Sequence, residues 1–259
     1  LSPVLRPFFG ASRIDIGELT EIAGTPTRGA LASVALRVVG SPMGAMRHPS
    51  GIPKDDIALS NGAVKLDAAF LYADLAGSGV IAKVCPWDTT AKIIRAYLDC
   101  SVRIIRAQGG EIRSFDGDRV MGVFIGDRKR TDAVKAALKI QWATENLIQK
   151  KATARFNSVK NNDVKIRQAC GIDVGISRAV RAGIRNNNDL IWIGRPPSFA
   201  AKLSDNREYP YCTFISAAVY DAMLDEAKLS KGVNMWEKRS MKFAGVDEDV
   251  YRSNYEWTP

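Results

Sequence analysis

Two aspartates in this 259-residue chain stand where a carboxylate does little for packing and much for chemistry. The run Gly109-Gly110-Glu111-Ile112-Arg113-Ser114-Phe115-Asp116-Gly117-Asp118-Arg119-Val120-Met121-Gly122-Val123-Phe124 reads as a β-hairpin. Ile112 to Phe115 and Val120 to Phe124 are its arms. Asp116-Gly117 is the turn signal, because tight hairpin turns need positive φ at central positions. Asp118 then projects at the tip. The other carboxylate, Asp74, ends the apolar strand Ala68-Ala69-Phe70-Leu71-Tyr72-Ala73. Two strand-end carboxylates on one sheet are the hard-oxygen donor set of a two-metal phosphoryl-transfer site.

Other chemistries are excluded by what is scarce. The chain has one histidine, His48, so a paired-histidine zinc helix is impossible and any histidine-based triad must use that residue. His48 sits among Arg47, Pro49, Ser50 and Gly51 and reads as a surface loop residue. No Gly-x4-Gly-Lys-Ser/Thr loop occurs. The cysteines Cys85, Cys100, Cys170 and Cys212 are far apart and read as reduced cytosolic thiols. The formal charge of +9 favours anionic partners, or simply solvates helix faces. No basic run is interleaved with aromatics as a nucleic-acid platform requires. The apolar run from Ala30 to Val39 carries Arg37 and is too short to span a bilayer.

The positioning elements follow an α/β pattern. Residues 1–65 are a mixed extension whose role is unreadable, with helix or strand across 30–39. Residues 66–259 form the expected catalytic domain. Strand 67–73 leads to a helix over 88–108, with Ile94, Leu98, Val102 and Ile105 on one face and Asp88-Thr89-Thr90 as cap. After the hairpin comes a helix over 130–149, with Ala133, Ala136, Ile140, Ala143 and Leu147 on its stripe and Thr131 or Asp132 as cap. A polar loop over 155–163 precedes strands at 164–174 and 178–182. Asn186-Asn187-Asn188-Asp189 is a turn cluster, followed by a short strand at 190–193. A helix opens at Pro196, where the missing N–H is harmless. Strand 212–215, helix 216–226 and strands near 238–242 and 248–252 close the chain. The order β-α-β-β-α-β predicts a ferredoxin-like α/β sandwich.

Four segments carry a family resemblance. Phe70 to Gly77 resembles the first metal-binding strand of class III nucleotidyl cyclases, and Gly109 to Phe124 resembles their second metal-binding hairpin. Ile166 to Gly175 resembles the strand that follows. Ile191-Trp192-Ile193-Gly194-Arg195-Pro196-Pro197-Ser198-Phe199-Ala200-Ala201-Lys202-Leu203 resembles the segment bearing the transition-state residues. The resemblance implies a head-to-tail homodimer with its sites at the interface. Asp74 and Asp118, helped by the Leu75 carbonyl, would hold two Mg²⁺ or Mn²⁺ ions per site.

The departures carry information too. Ser114 falls where adenine-specific members place a base-reading lysine, and Ile191 falls at the second base-reading position. The transition-state asparagine and arginine fall at Ser198 and Lys202, one helical turn apart. Lys242 corresponds to a late lysine that binds triphosphate. A compact cyclase without the purine-reading pair resembles the pyrimidine cyclases of Pycsar anti-phage systems. That implies UTP as substrate, cyclic UMP as product, a cytoplasmic setting and a separate effector that reads the product. CTP or a purine triphosphate stays open. So do a silent nucleotide-binding or dimerisation module, and a basic nucleic-acid binder. A diguanylate cyclase fits less well, because Gly109-Gly110-Glu111 is followed by Ile112 and Arg113. Arg113 and Arg119 flank the turn and read as solvated. Trp142 and Trp192 read as core or interface aromatics.

Overall fold

The computed structural model describes residues 28–44, 46–47, 51–53, 57–59, 61–184 and 187–259. His48, residues 1–27 and the start of the Asn-rich turn lie outside them. The first half runs α1 (Arg28–Gly40), β1 (Met46–Arg47), β2 (Ala63–Ala76), α2 (Ser78–Val84), α3 (Trp87–Ala107), β3 (Glu111–Asp116) and β4 (Arg119–Phe124). Then come α4 (Lys129–Ala143), a π-helical turn (Thr144–Gln149), α5 (Lys150–Arg155) and α6 (Asn157–Asn161). The rest is β5 (Arg167–Ile184), β6 (Asn187–Ile193), α7 (Arg195–Ser204), β7 (Thr213–Ser216), α8 (Ala217–Ala222), α9 (Asp225–Lys228), β8 (Leu229–Ser230), β9 (Val233–Asn234), β10 (Glu237–Phe243) and β11 (Val246–Ser253).

These elements form two compact units, Asp67–Ser177 with Gly194–Pro259, and the described residues up to Leu66 with Arg178–Ile193. In the larger unit the strand order is β10-β11-β7-β5-β2-β4-β3. The segment β5-β2-β4-β3 is the ferredoxin-like arrangement that the β-α-β-β-α-β order predicts, with β2 in the interior. Apolar side chains of the strands, including Leu71, Val120, Phe124, Ile172 and Ile215, meet Ile93, Tyr97 and Ile105 of α3 and Leu138 and Ile140 of α4 in one core. Each fully buried side chain of this size contributes about 1.5–3 kcal/mol. The near-continuous apolar run of β2 follows from covering on both faces. Close approach fixes α7 against β5: a Cβ on Gly171 would lie 2.1 Å from the Ala200 carbonyl oxygen, so only glycine fits there.

In the smaller unit β1 pairs with the start of β2 and β6 with the end of β5. Ile57, Val64 and Ala179 form a buried cluster there, with Leu190 and Trp192 packed against it. Trp142 packs on the larger core, as read.

Several sequence expectations are corrected. Strands 164–174 and 178–182 are one continuous strand, Arg167–Ile184, carried through Gly175 at φ 146°, a conformation that favours glycine. The loop over 155–163 contains α6. Helix 216–226 is two short helices, the first capped by Ser216, whose Oγ accepts from the Val219 N–H at 3.3 Å. Asp88 does not cap α3, which starts after Pro86; it pairs instead with Lys92 at 2.7 Å. Thr131 does not cap α4, and neither does Asp132, since Arg128 precedes the helix; the Thr131 hydroxyl accepts from the Leu224 N–H at 3.0 Å. The face of α3 is centred on Ile93, Tyr97 and Ile104, with Ile94, Leu98 and Val102 only partly buried. Leu147 is exposed and Ile148 buried, because the π-helical turn adds a residue and rotates the stripe.

Candidate active site

The register of the sheet brings the two predicted carboxylates together. In the antiparallel ladder of β2 and β4, Asp74 lies opposite Arg119, so Asp118 is the next residue toward the hairpin tip. The turn itself is Gly117-Asp118, closed by the pair Asp116 and Arg119, one residue later than the sequence signal placed it. Gly117 at φ 61° supplies the positive φ at the first central position. Ala73 and Leu75 beside Asp74 are buried in the sheet, which anchors the carboxylate on a rigid strand. The Asp74 side chain is 13% exposed. Burial pushes its carboxyl above the ordinary range, the Arg207 guanidinium pulls it back, and Asp118 pushes it up again.

Among the described residues no three His, Cys, Asp or Glu side chains form a self-sufficient metal centre. The oxygen set of Asp74, Asp118 and the Leu75 carbonyl fits Mg²⁺ or Mn²⁺, which take one or two carboxylates and complete their shell with water and substrate phosphates. Two mutually repelling carboxylates at one strand end are an arrangement that a cation relieves.

Cations already crowd this end of the sheet. Arg207 donates Nη2 to Asp74 Oδ2. Arg119 donates to Asp116 at 2.9 Å and to Asp205 at 3.3 Å, and lies 5.6 Å from the Tyr72 ring centre. The expectation that Arg113 and Arg119 are solvated is overturned: the side chains are 15% and 24% exposed. Arg113 is turned in at a bulge between Ile112 and Ser114, and pairs with Glu111. Ser114 follows the bulge, half-buried and opposite Met121.

The remaining predicted residues lie on other elements. Ser198 is exposed on α7 and donates to the Gly194 carbonyl at 3.2 Å. Lys202, one turn on, reaches Asp205 at 3.5 Å. Lys242 is on β10, at the sheet edge opposite the hairpin, and faces Asp247 across the strand pair at 3.8 Å. Ile191 belongs to the smaller unit, where it lies opposite Val180 and is exposed.

Sequence reasoning missed the supports. Arg207 and Asp74 are 133 residues apart, and no local pattern joins them. Asp173 did give a signal, a charge inside an otherwise apolar strand. It is fully buried, and Arg195 donates to it at 2.7 Å while also pairing with Glu248 at 2.9 Å. This network pins the first turn of α7, and with it Ser198, to β5 and β11. Burial raises the Asp173 carboxyl, and a hydrogen bond from Ser216 and the Arg195 charge lower it in part.

No family model matches the chain. It is 45% identical to the uridylate cyclase of Rhodovulum sp. (strain MB263) over 212 residues, which cover 81% of this chain and 88% of that protein. It is 40% identical to the uridylate cyclase of Xanthomonas perforans over 208 residues, 80% of this chain and 87% of the relative. The adenylyl cyclase CyaB from P. aeruginosa superposes with a TM-score of 0.62 at 19% identity, over 74% of this chain and 95% of that one. The guanylyl cyclase Cya2 superposes at 0.60 and 15% identity, over 75% and 95%. The two structures establish the fold, and the identity across four-fifths of the sequence establishes more: this chain belongs to the uridylate cyclase family of class III nucleotidyl cyclases.

Proposed function

We propose that this enzyme cyclises UTP to 3′,5′-cyclic UMP and pyrophosphate, at sites formed between two copies of the chain arranged head to tail. The observation that carries the mechanism is that Asp74 lies opposite Arg119 on the sheet, which puts Asp118, the next residue, beside it. The ribose 3′-oxygen attacks the α-phosphorus in line. The bond to the bridging oxygen breaks, pyrophosphate leaves, and the 3′-hydroxyl proton passes to solvent.

Asp74, Asp118 and the Leu75 carbonyl would hold two divalent cations. Cations held there would lower the pKa of the 3′-hydroxyl and offset the charge of the triphosphate. The chain's other residues position and compensate charge. Lys202 from the second copy stabilises charge on the α-phosphoryl oxygens as a point charge, without the planar fork of arginine. Ser198 orients the same group through its hydroxyl, and Lys242 draws the triphosphate. Ser114 and Ile191 occupy the base-reading positions. A purine would leave its hydrogen-bonding edge unmatched against a short hydroxyl and an aliphatic chain, which selects against it.

The product is a cytoplasmic second messenger of anti-phage defence, read by a separate effector. Residues 1–65 support or gate the catalytic domain of 66–259. The relatives' shared name supports UTP over CTP.

The test is a four-way competition. The protein is incubated with ATP, GTP, CTP and UTP plus Mn²⁺, and cyclic products are identified by mass, with Asp74→Ala as control. Cyclic UMP alone, lost in the variant, is the expected result. A purine product would overturn the reading of Ser114 and Ile191. No product from any of the four would return weight to a silent module.

A further inference from the structure

The catalytic carboxylate already has a cation on it. Arg207 donates Nη2 to Asp74 Oδ2, and its Nη1 donates to the Ser204 carbonyl at 2.7 Å and the Asn206 carbonyl at 3.0 Å. Ser204 is the last residue of α7, so one guanidinium holds the carboxylate and satisfies an orphan carbonyl at a helix end. Arg119 lies opposite Asp74 but spends its donors on Asp116 and Asp205. Among the described residues Arg207 is the cation that bonds Asp74, while Arg119 acts on it through its charge alone.

A divalent cation and a guanidinium compete for the same lone pairs on Oδ2, and their charges repel. Space for the loser is at hand. A cavity of about 380 Å³ opens beside Arg207, bounded by Gly77, Val80, Gln168 and Tyr209. The arginine side chain is 43% exposed and can turn into it without disturbing the core.

We propose that Arg207 is a resident counter-ion of the cation site, holding Asp74 in the metal-free chain and exchanging with the cation on loading. The inference rests on the two-metal reading of Asp74. It makes cation loading a displacement rather than entry into an open site. It also ties loading to α7: the exchange releases the Ser204 carbonyl at the end of the helix that carries Ser198 and Lys202. An enzyme built this way resists idle loading at low free cation. Nucleotide phosphates favour the exchange, because they offer the released guanidinium an anionic partner.

The experiment is a Mn²⁺ titration of the full chain without nucleotide, read by the electron paramagnetic resonance of free Mn²⁺. Arg207→Gln keeps the length and removes the charge. It is expected to bind Mn²⁺ roughly tenfold tighter than the parent, the scale of losing one charge-assisted competitor. Arg207→Lys keeps the charge but cannot span Asp74 and Ser204 with a fork, so its affinity falls between the two. Asp74→Asn is expected to lose the tighter site. If Asp74→Asn loses Mn²⁺ while Arg207→Gln and Arg207→Lys both match the parent, the exchange is wrong and the two-metal reading stands. If Asp74→Asn binds Mn²⁺ as the parent does, the two-metal reading fails and takes the exchange with it. Unchanged near-ultraviolet circular dichroism across the variants shows that folding is not what moves the affinities.

Discussion

The proposed cation-binding side of the site and the proposed phosphate-binding side are built differently. Asp74 stands on an interior strand between buried neighbours, and Asp118 is set by a glycine turn of the adjoining ladder. Asp74 cannot shift without moving the sheet. Lys202 and Lys242 are 51% and 75% exposed and lean on nearby carboxylates at 3.5 and 3.8 Å. Exposed pairs of that kind contribute about 0–1 kcal/mol and fix little. One side is therefore preorganised by the core, and the other is presented on the surface with its charges loosely held. A half-site of this kind suits a head-to-tail dimer, in which each copy completes the other's centre.

The comparison is broken most forcefully by splitting it between chains. Asp74→Ala removes a donor that no neighbour replaces, and turnover is expected to fall on the order of 10³-fold or more. Lys202→Ala alone also impairs turnover. When the two variants are mixed and allowed to exchange subunits, half of the dimers are mixed and each regains one intact centre. Activity then returns to about a quarter of the parent's. Steady-state rates of the mixture check this, and a mixture no more active than its components would place both halves of a site within one chain.

Reading the sequence succeeded where chemistry is written locally. The hairpin and the alternation of helix and strand are short-range patterns, and the fold that follows from them is the observed one; the turn is Gly117-Asp118 rather than Asp116-Gly117, and β2 runs two residues past Asp74. What escaped is long-range. The partnership of Arg207 with Asp74 depends on a chain return after α7, and that of Arg119 with Asp205 on how α7 sits against the hairpin. The π-helical turn after α4 moved Leu147 out and Ile148 in, because the pattern assumed an unbroken 3.6-residue period. The split of β5 into two strands missed Gly175, whose φ of 146° carries the strand on beneath a close neighbour: a Cβ there would lie 3.2 Å from the Pro196 ring.

Smaller effects sharpen the contrast within the phosphate-binding side. Lys202→Ala is expected to lower kcat on the order of 10²-fold with little change in KM, since its charge matters when charge develops. Lys242→Ala removes an exposed charge already shared with Asp247, and is expected to raise KM about two- to fivefold and leave kcat intact. Full progress curves at several UTP concentrations separate the two patterns. Equal losses in kcat from both variants would erase the distinction drawn between them.

The smallest expected effect concerns what holds α7 in place. Asp173 is fully buried against Arg195, and burial, the leading influence, raises its carboxyl above the ordinary value of 3.8. The folded chain thus holds that proton more tightly than the unfolded chain does. The contribution to stability is full below the unfolded value and declines as pH rises through the window up to the folded one. Asp173→Asn has no such titration. Stability of the parent relative to Asp173→Asn should therefore fall as pH rises from the acid side of 3.8 and level off once the folded carboxyl has ionised. Urea unfolding of both proteins at matched pH values measures this difference and cancels groups common to the two. A difference that instead grew with pH would mean that the Arg195 and Ser216 contacts outweigh burial, and that the ionised pair itself is the clamp on the first turn of α7.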